Sequence, residues 1–282
     1  ESINELRKPK KIKQDLGKVA VVGSGPAGLS VAGDVAKLGY EVTVFEGQSE
    51  PGGVLLFGIP EFRLSKAVVR REIARLEGLG VKFVCNTFIG QDKTLDDLFA
   101  EGYDSIFIGT GTHIPQDVRM ENDEVPGVFQ AMYLLTNVQL VENGELDENQ
   151  IPVKKGDRVI IIGGGNVAMD AARTCVRLGC EAVTVAYRRS QEQMPALLSE
   201  YEEARAEGVQ FQWFASPVGV EGTDKVEGFK YEVMALNEDG AGIHGTGNFQ
   251  VMPVDKIIIA AGHKPNARLV GEGNNLKVDE KG

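Results

Sequence analysis

The sequence predicts an α/β chain built from two copies of one unit, each a buried strand, a glycine-rich turn, a helix and a second strand, with the later copy inserted into the earlier one. Three observations predict it. The stretch Lys18-Val-Ala-Val-Val-Gly-Ser-Gly-Pro-Ala-Gly28 runs a short apolar segment straight into glycines. Arg158-Val-Ile-Ile-Ile-Gly-Gly-Gly-Asn-Val-Ala168 repeats it 140 residues later. Asp104 to Gly111 and Asp255 to Gly262 are apolar segments that end alike on either side of the second copy, so the chain leaves the first unit near Gly111 and returns near Gly262.

Residues 1–17 form an N-terminal extension, and the first unit begins at Lys18. Gly23 allows a tight turn after the strand, Gly25 lets backbone approach a pyrophosphate, and Gly28 lets the helix pack on the strand. The unpaired N–H groups at the helix start then face phosphates. Glu46 ends the second strand 18 residues past Gly28, where a carboxylate accepts hydrogen bonds from a ribose. Glycine turns also serve plain packing, but strand, helix, second strand and terminal acid here all fall at the dinucleotide-binding, Rossmann-like spacing. The glycines of Gly47 to Val54 mark another close approach to a ligand. Leu64 to Leu79 has helical periodicity with charges on one face and is ended by Gly80. Val81 to Thr87 alternates as a strand, Leu95 to Ala100 fits a short helix and Asp104 to Gly111 a buried strand. The acidic stretch from Pro115 to Gly127 connects two lobes, and Gln130 to Glu142 is helical.

The pattern restarts at Asp157. Leu178 to Tyr187 repeats the second strand, and Val209 to Val254 is rich in alternating strands, with a turn at Asn237-Glu-Asp-Gly240. The expected domains are 18–125 with 262–282, and 126–261.

Composition narrows the function. A chain of 282 residues suffices for two domains, and 42% hydrophobic with 25% charged residues is ordinary for a globular protein. The net charge of −11 argues against nucleic acid as a partner. Arg7, Lys8, Lys10, Lys11 and Lys13 read as a solvated basic tail. No apolar run reaches the length of a membrane span and no signal peptide precedes the first strand. Cys85, Cys175 and Cys180 are scattered, with no CxxC and no metal-ligand spacing, so all three are expected to be buried, reduced thiols of a cytoplasmic protein. The chain begins at Glu1 without a methionine, as expected of a piece of a longer protein.

The two copies differ where the second strand ends. Glu46 binds a free 2′-hydroxyl and repels a 2′-phosphate, whereas Tyr187-Arg188-Arg189 offers bidentate donors to a phosphate. The first unit is therefore expected to take FAD or NAD and the second to prefer NADP. A solvated arginine pair on a surface loop is the alternative, and the placement at the diagnostic point favours the former. Two adjacent dinucleotide sites suit transfer of a hydride from nicotinamide to flavin. Such transfer needs geometry rather than a catalytic acid, base or nucleophile. Of three histidines, His113 and His263 each sit just beyond a strand ending in glycine, where either could face a cofactor, although a loop histidine bonded to backbone is the favoured reading; His244 reads as exposed.

Four segments carry a family resemblance: Val21-Val-Gly-Ser-Gly-Pro-Ala-Gly28; Gly52-Gly-Val-Leu-Leu-Phe-Gly-Ile-Pro-Glu-Phe-Arg-Leu64; Ile162-Gly-Gly-Gly-Asn-Val-Ala-Met-Asp-Ala-Ala-Arg173; and Tyr187-Arg-Arg-Ser190 with Met194-Pro-Ala196. Together they resemble the small subunit of NADPH-dependent glutamate synthase. They are also similar to the large subunit of NADH-dependent reduced ferredoxin:NADP oxidoreductase and to the flavin part of dihydropyrimidine dehydrogenase. The resemblance covers nearly all of residues 18–270. It implies an FAD domain with an NADP domain inserted, NADPH reducing FAD, and electrons passing on through iron–sulfur clusters. By matched position it implies FAD contacts from Ser24, Gly25, Pro26, Ala27, Gly28, Glu46, Gly53, Val54, Arg63 and Ile89. It implies NADP(H) contacts from Gly164, Gly165, Asn166, Val167, Arg188, Arg189, Ser190, Ala260, Ala261 and Gly262. A cation such as Arg63 near the flavin also stabilises the charge of a reduced flavin.

Two features of the resembled family are missing. Three scattered cysteines cannot ligate a four-iron cluster, so iron–sulfur clusters are expected only in flanking or partner domains. The family's closing Gly-Asp segment would lie beyond Gly282. A nucleotide-binding fragment without turnover is the alternative function, and the lack of CxxC disfavours a disulfide reductase.

If Arg188 and Arg189 read the 2′-phosphate, replacing both with alanine weakens NADPH binding by about 2–4 kcal/mol and leaves NADH nearly unchanged. Titration calorimetry with both nucleotides checks this, and equal losses would show that the arginines do not discriminate.

Overall fold

The computed structural model describes residues 13–238, 240, 242–265 and 269. The extension up to residue 12 with most of the basic cluster, Asp239 of the turn after Asn237, and most of 266–282 lie outside the described residues. The chain divides into two compact units, Glu1–Ile114 with Lys264–Gly282, and Pro115–His263.

The first unit runs β1 (Lys18–Val22), α1 (Pro26–Leu38), β2 (Glu41–Phe45), α2 (Val54–Phe57), α3 (Lys66–Gly78), β3 (Lys82–Val84), α4 (Leu95–Ala100) and β4 (Ser105–Ile108), with β5 (Ile114–Pro115) where the chain crosses to the second unit. Its sheet has the order β3-β2-β1-β4, all pairs parallel. Proline at the first turn and Gly39, left-handed at φ 105°, set the ends of α1. Small residues on its buried face let it lie close; a Cβ on Gly33 would come 2.8 Å from Leu76 of α3. Ala20 and Val22 of β1 pack with Leu95 and Leu98 of α4, whose start is closed by reciprocal bonds between Thr94 and Asp97.

The second unit comprises β6 (Val128–Gln130), α5 (Ala131–Glu142), β7 (Arg158–Ile162), α6 (Asn166–Arg177), β8 (Ala182–Tyr187), α7 (Leu198–Ala206), β9 (Gln210–Trp213), β10 (Ala215–Glu221), β11 (Gly228–Leu236), β12 (Ile243–Pro253) and β13 (Lys256–Ile259), before β14 (His263–Lys264) returns the chain. Its parallel sheet has the order β6-β13-β7-β8-β9, and β10-β11-β12 form an antiparallel sheet. The run of apolar residues in β7 follows from cover on both faces. Val159 and Ile161 enter a core with Ala168, Met169 and Leu134 of the helices; Ile160 and Ile162 enter another with Val220, Phe229 and Tyr231 of the antiparallel sheet.

The repeat extends to register. Val22 of β1 pairs with Phe45 and Ile108, and Ile162 of β7 pairs with Ala186 and Ile259. At the opposite strand end the Lys18 N–H donates to Asp104 Oδ2 at 2.8 Å and the Arg158 N–H to Asp255 Oδ2 at 2.9 Å. Arg158 adds a side-chain fork onto Asp255, at 2.9 and 3.0 Å.

The structure departs from the sequence expectations in a domain boundary, in cysteine burial and in three elements. The segment 115–125, expected with the first domain, groups with the second: Met120 and Val125 pack against Phe229, Glu121 exchanges backbone hydrogen bonds with β10, and Asn122 donates to Val220 and Gly222 carbonyls at 3.1 and 2.8 Å. Only Cys175 is buried. Cys85 follows the edge strand β3 and Cys180 the turn after α6, so both are half-buried. Helices α2 and α7 and the short strand β6 add to the elements expected from the sequence.

The hydrogen bonds from Arg158 hold the Asp255 carboxyl down from its ordinary 3.8 to about 2. A depressed carboxyl stabilises the fold above its unfolded pKa and loses that contribution as pH falls through the folded value. Both side chains are more than a third exposed, at 41% and 36%, which limits the contribution to about 1 kcal/mol. Asp255→Asn should therefore lower stability by that amount at pH 7 in urea titrations, and the gap from wild type should close between pH 4 and pH 2.

Candidate functional site

Each unit has a glycine turn where three parallel strand ends meet a helix start. In the first, Gly23 has φ +93° and a Cβ there would lie 2.6 Å from the Gly109 carbonyl oxygen. A Cβ on Gly28 would lie 1.9 Å from the Gly23 oxygen, so the third glycine is required by packing. Gly25 faces open space, with nothing within 4 Å of a built Cβ, while Gly53, at φ +53°, approaches so closely that its Cβ would lie 2.8 Å from Gly25 Cα. No side chain caps α1, leaving N–H groups of its first turn for a ligand. Pro26 and Ala27 of that turn are exposed, as is Val54.

Glu46 and Ser24 are both buried. Glu46 Oε2 accepts the Ser24 N–H at 3.0 Å and the Ser24 hydroxyl; Oε1 accepts the Gln48 N–H at 2.9 Å. The Ser24 oxygen in turn accepts the Gly52 N–H at 2.8 Å. The expected ribose acceptor is thus also the protein's own clasp, tying the turn after β1 to the loop after β2. An ionised carboxylate has about four lone-pair sites, so capacity for a ribose remains.

Arg63 lies half-buried in the turn after α2, its N–H donating to the Pro60 carbonyl at 3.0 Å. Ile89 is buried in the core beside Leu95 and Leu98, which commits its side chain to packing. Lys66 is not among the residues expected at the site. It is 3% exposed, and its ammonium donates to the Leu55 carbonyl at 2.9 Å and to that of Ile59, pinning the segment that follows Gly53 and Val54. A lysine that opens a helix with five further charged residues gives no signal of this.

In the second unit Gly163 has φ +148°, and a Cβ there would lie 2.4 Å from the Ala260 oxygen. Ala260, Ala261 and Gly262 follow β13 as Gly109 to Gly111 follow β4. By register Tyr187 stands where Glu46 stands in the first unit. Its ring explains the middle glycine: a Cβ on Gly164 would lie 2.6 Å from it. Gly165 again faces open space, and no side chain caps α6. Asn166 and Val167 are half-buried at the helix start, but Asn166 Oδ1 accepts the Leu197 N–H at 2.9 Å. The segment between β8 and α7 folds back over the turn, with the Ala196 N–H donating to the Gly164 oxygen at 3.0 Å and the Tyr187 hydroxyl to the Gln193 oxygen at 3.1 Å. Arg188 and Arg189 are exposed on that segment beside half-buried Ser190, and among the described residues neither arginine makes an ion pair. The Arg189 carbonyl accepts the Phe214 N–H at 3.2 Å. Phe214 has a positive φ of 57°, a strained value for an aromatic residue.

The donor sets fit the nucleotides: open space beside Gly25 and Gly165, uncapped helix starts, a carboxylate at one strand end and two unpaired guanidinium groups at the other. Residues 17–282 match the family model described as pyridine nucleotide-disulphide oxidoreductase. The chain belongs to that family. It is 38% identical over 280 residues to the glutamate synthase (NADPH) small chain of Escherichia coli, covering 96% of this chain and 59% of that one. Its identity to the small chain of Halomonas elongata is 40% over 271 residues, 94% of this chain and 57% of that one. The chain thus spans less than two thirds of these relatives. The fold resembles FprA of Mycobacterium tuberculosis in complex with NADPH, with TM-score 0.75 at 20% identity over 88% of this chain and 71% of that one. Among the described residues no group of side chains could hold a metal ion, and no helix is long and apolar enough to cross a membrane.

Ser24→Ala removes the hydroxyl between Glu46 and the Gly52 N–H and leaves a buried donor unpaired. It should cost about 1–3 kcal/mol of stability, measured by urea denaturation. A loss below 0.5 kcal/mol would show that the clasp is replaced by solvent.

Proposed function

We propose that the chain is the nucleotide-binding core of an FAD-dependent NADPH oxidoreductase, with FAD on the first unit and NADP(H) on the second, as in a glutamate synthase small chain. The carrying observation is that one turn occurs twice in the same register with opposite chemistry at the end of its second strand, a buried carboxylate at Glu46 and the cations Arg188 and Arg189 after Tyr187.

Bound NADPH supplies the hydride, and bound FAD the two-electron acceptor that no side chain provides. The protein's part is to bind and orient. The backbone of Ser24 to Gly28, with Gly53 and Val54 against it, holds one diphosphate, and Glu46 receives the ribose hydroxyls. Arg63 places a cation near the flavin and Ile89 adds backbone. Gly164 to Val167 and Ala260 to Gly262 frame the second diphosphate, while Arg188, Arg189 and Ser190 receive the 2′-phosphate. No proton donor or nucleophile is assigned. Electrons leave toward an iron–sulfur segment or partner subunit outside this chain, in the cytoplasm.

Purified protein mixed with FAD should retain flavin absorbance after gel filtration, and anaerobic NADPH should bleach it faster than NADH. Protein that stays colourless would overturn the proposal, and flavin that binds but is not bleached by NADPH would assign the chain to nucleotide binding without turnover.

A further inference from the structure

One charged cluster lies away from both turns. Arg173, on α6, is 4% exposed. Its guanidinium meets Glu207 Oε1 at 2.7 and 3.0 Å, Glu203 at 2.6 Å and Glu200 at 3.4 Å, all three carboxylates coming from α7 or the residue that ends it. Arg177 adds a second fork onto Glu207. The desolvation of such a buried cation is offset only by close, hydrogen-bonded acids, so the guanidinium holds its three carboxylates in fixed places. What it fixes is α7. That helix buries only Tyr201 and Ala204, so little apolar surface sets its rotation or height. The segment carrying Arg188, Arg189 and Ser190 is strung between β8 and α7, and Tyr201 of α7 donates its hydroxyl to Gln191 within it at 3.2 Å.

We infer that Arg173 is a positioning residue for nucleotide choice: by locking α7 onto α6 it sets where the arginine-bearing segment stands, without itself touching the nucleotide. This deepens the assignment of NADP(H) to the second unit and rests on it. A displaced segment loses its grip on a 2′-phosphate, whereas the diphosphate cradle keeps the close backbone packing of Gly163 on Ala260 that shapes it, so the loss falls chiefly on NADPH.

Arg173→Lys keeps the charge and loses the fork, and Glu200→Gln/Glu203→Gln loosens α7 while leaving the Arg173–Glu207 fork, so the second variant carries the test if the first does not fold. In both, titration of the FAD-loaded protein should show the NADPH dissociation constant rising about three- to ten-fold, that for NADH changing less than two-fold, and FAD content unchanged. Equal weakening of both nucleotides marks a purely structural cluster and overturns the inference, as does an unchanged NADPH constant in a folded variant. Wild-type protein that binds NADH as tightly as NADPH would instead overturn the NADP assignment itself, before any variant is compared.

Discussion

The architecture depends on backbone meeting backbone. At Gly23 and again at Gly163 the end of the central strand passes so near the end of its neighbour that no Cβ fits, 2.6 Å from one carbonyl oxygen and 2.4 Å from the other. Packing at that distance draws the three strand ends and the helix start to one point and keeps side chains out of it. The space beside Gly25 and Gly165, which no described residue fills, is the by-product. A surface rich in backbone amide groups suits a charged, polar ligand, and the residues where the neighbouring strand ends are the proposed selectors among such ligands.

The two units solve the same packing problem and diverge at one register position. Where the first has Ser24 beside Glu46, the second has Gly164 beneath the ring of Tyr187. A serine hydroxyl and a carboxylate form one small polar clasp; an aromatic ring needs a residue without a side chain beneath it. The choice of residue at the middle of the turn is thus tied to the choice at the strand end about twenty residues on, and neither can change alone. Expectations for an α/β fold and for a family of FAD and NADP oxidoreductases hold at this level, because glycine spacing and strand ends are local features that a sequence displays directly.

Other features were hidden because they depend on distant partners. Helix α7 has charged residues on most of its faces and almost no apolar stripe, so periodicity could not find it; its partner is Arg173, some thirty residues earlier. Lys66 looked like one more surface charge on α3, and only the carbonyls of Leu55 and Ile59 make it a buried anchor. The stretch 115–125 resembled a linker by composition, yet Met120 and Val125 supply core to the antiparallel sheet. Ile89, expected at a ligand, is committed by its side chain to the core.

Glu46 shows what such a clasp means for ligand entry. A free glutamate side chain loses on the order of 1.5–2 kcal/mol of rotamer entropy when it is ordered. With Ser24 and Gln48 already donating to both of its oxygens, that loss occurs as the chain folds. In the role proposed for Glu46, a ribose would meet a rigid acceptor, and the hydrogen bonds it formed there would appear almost undiminished in the affinity.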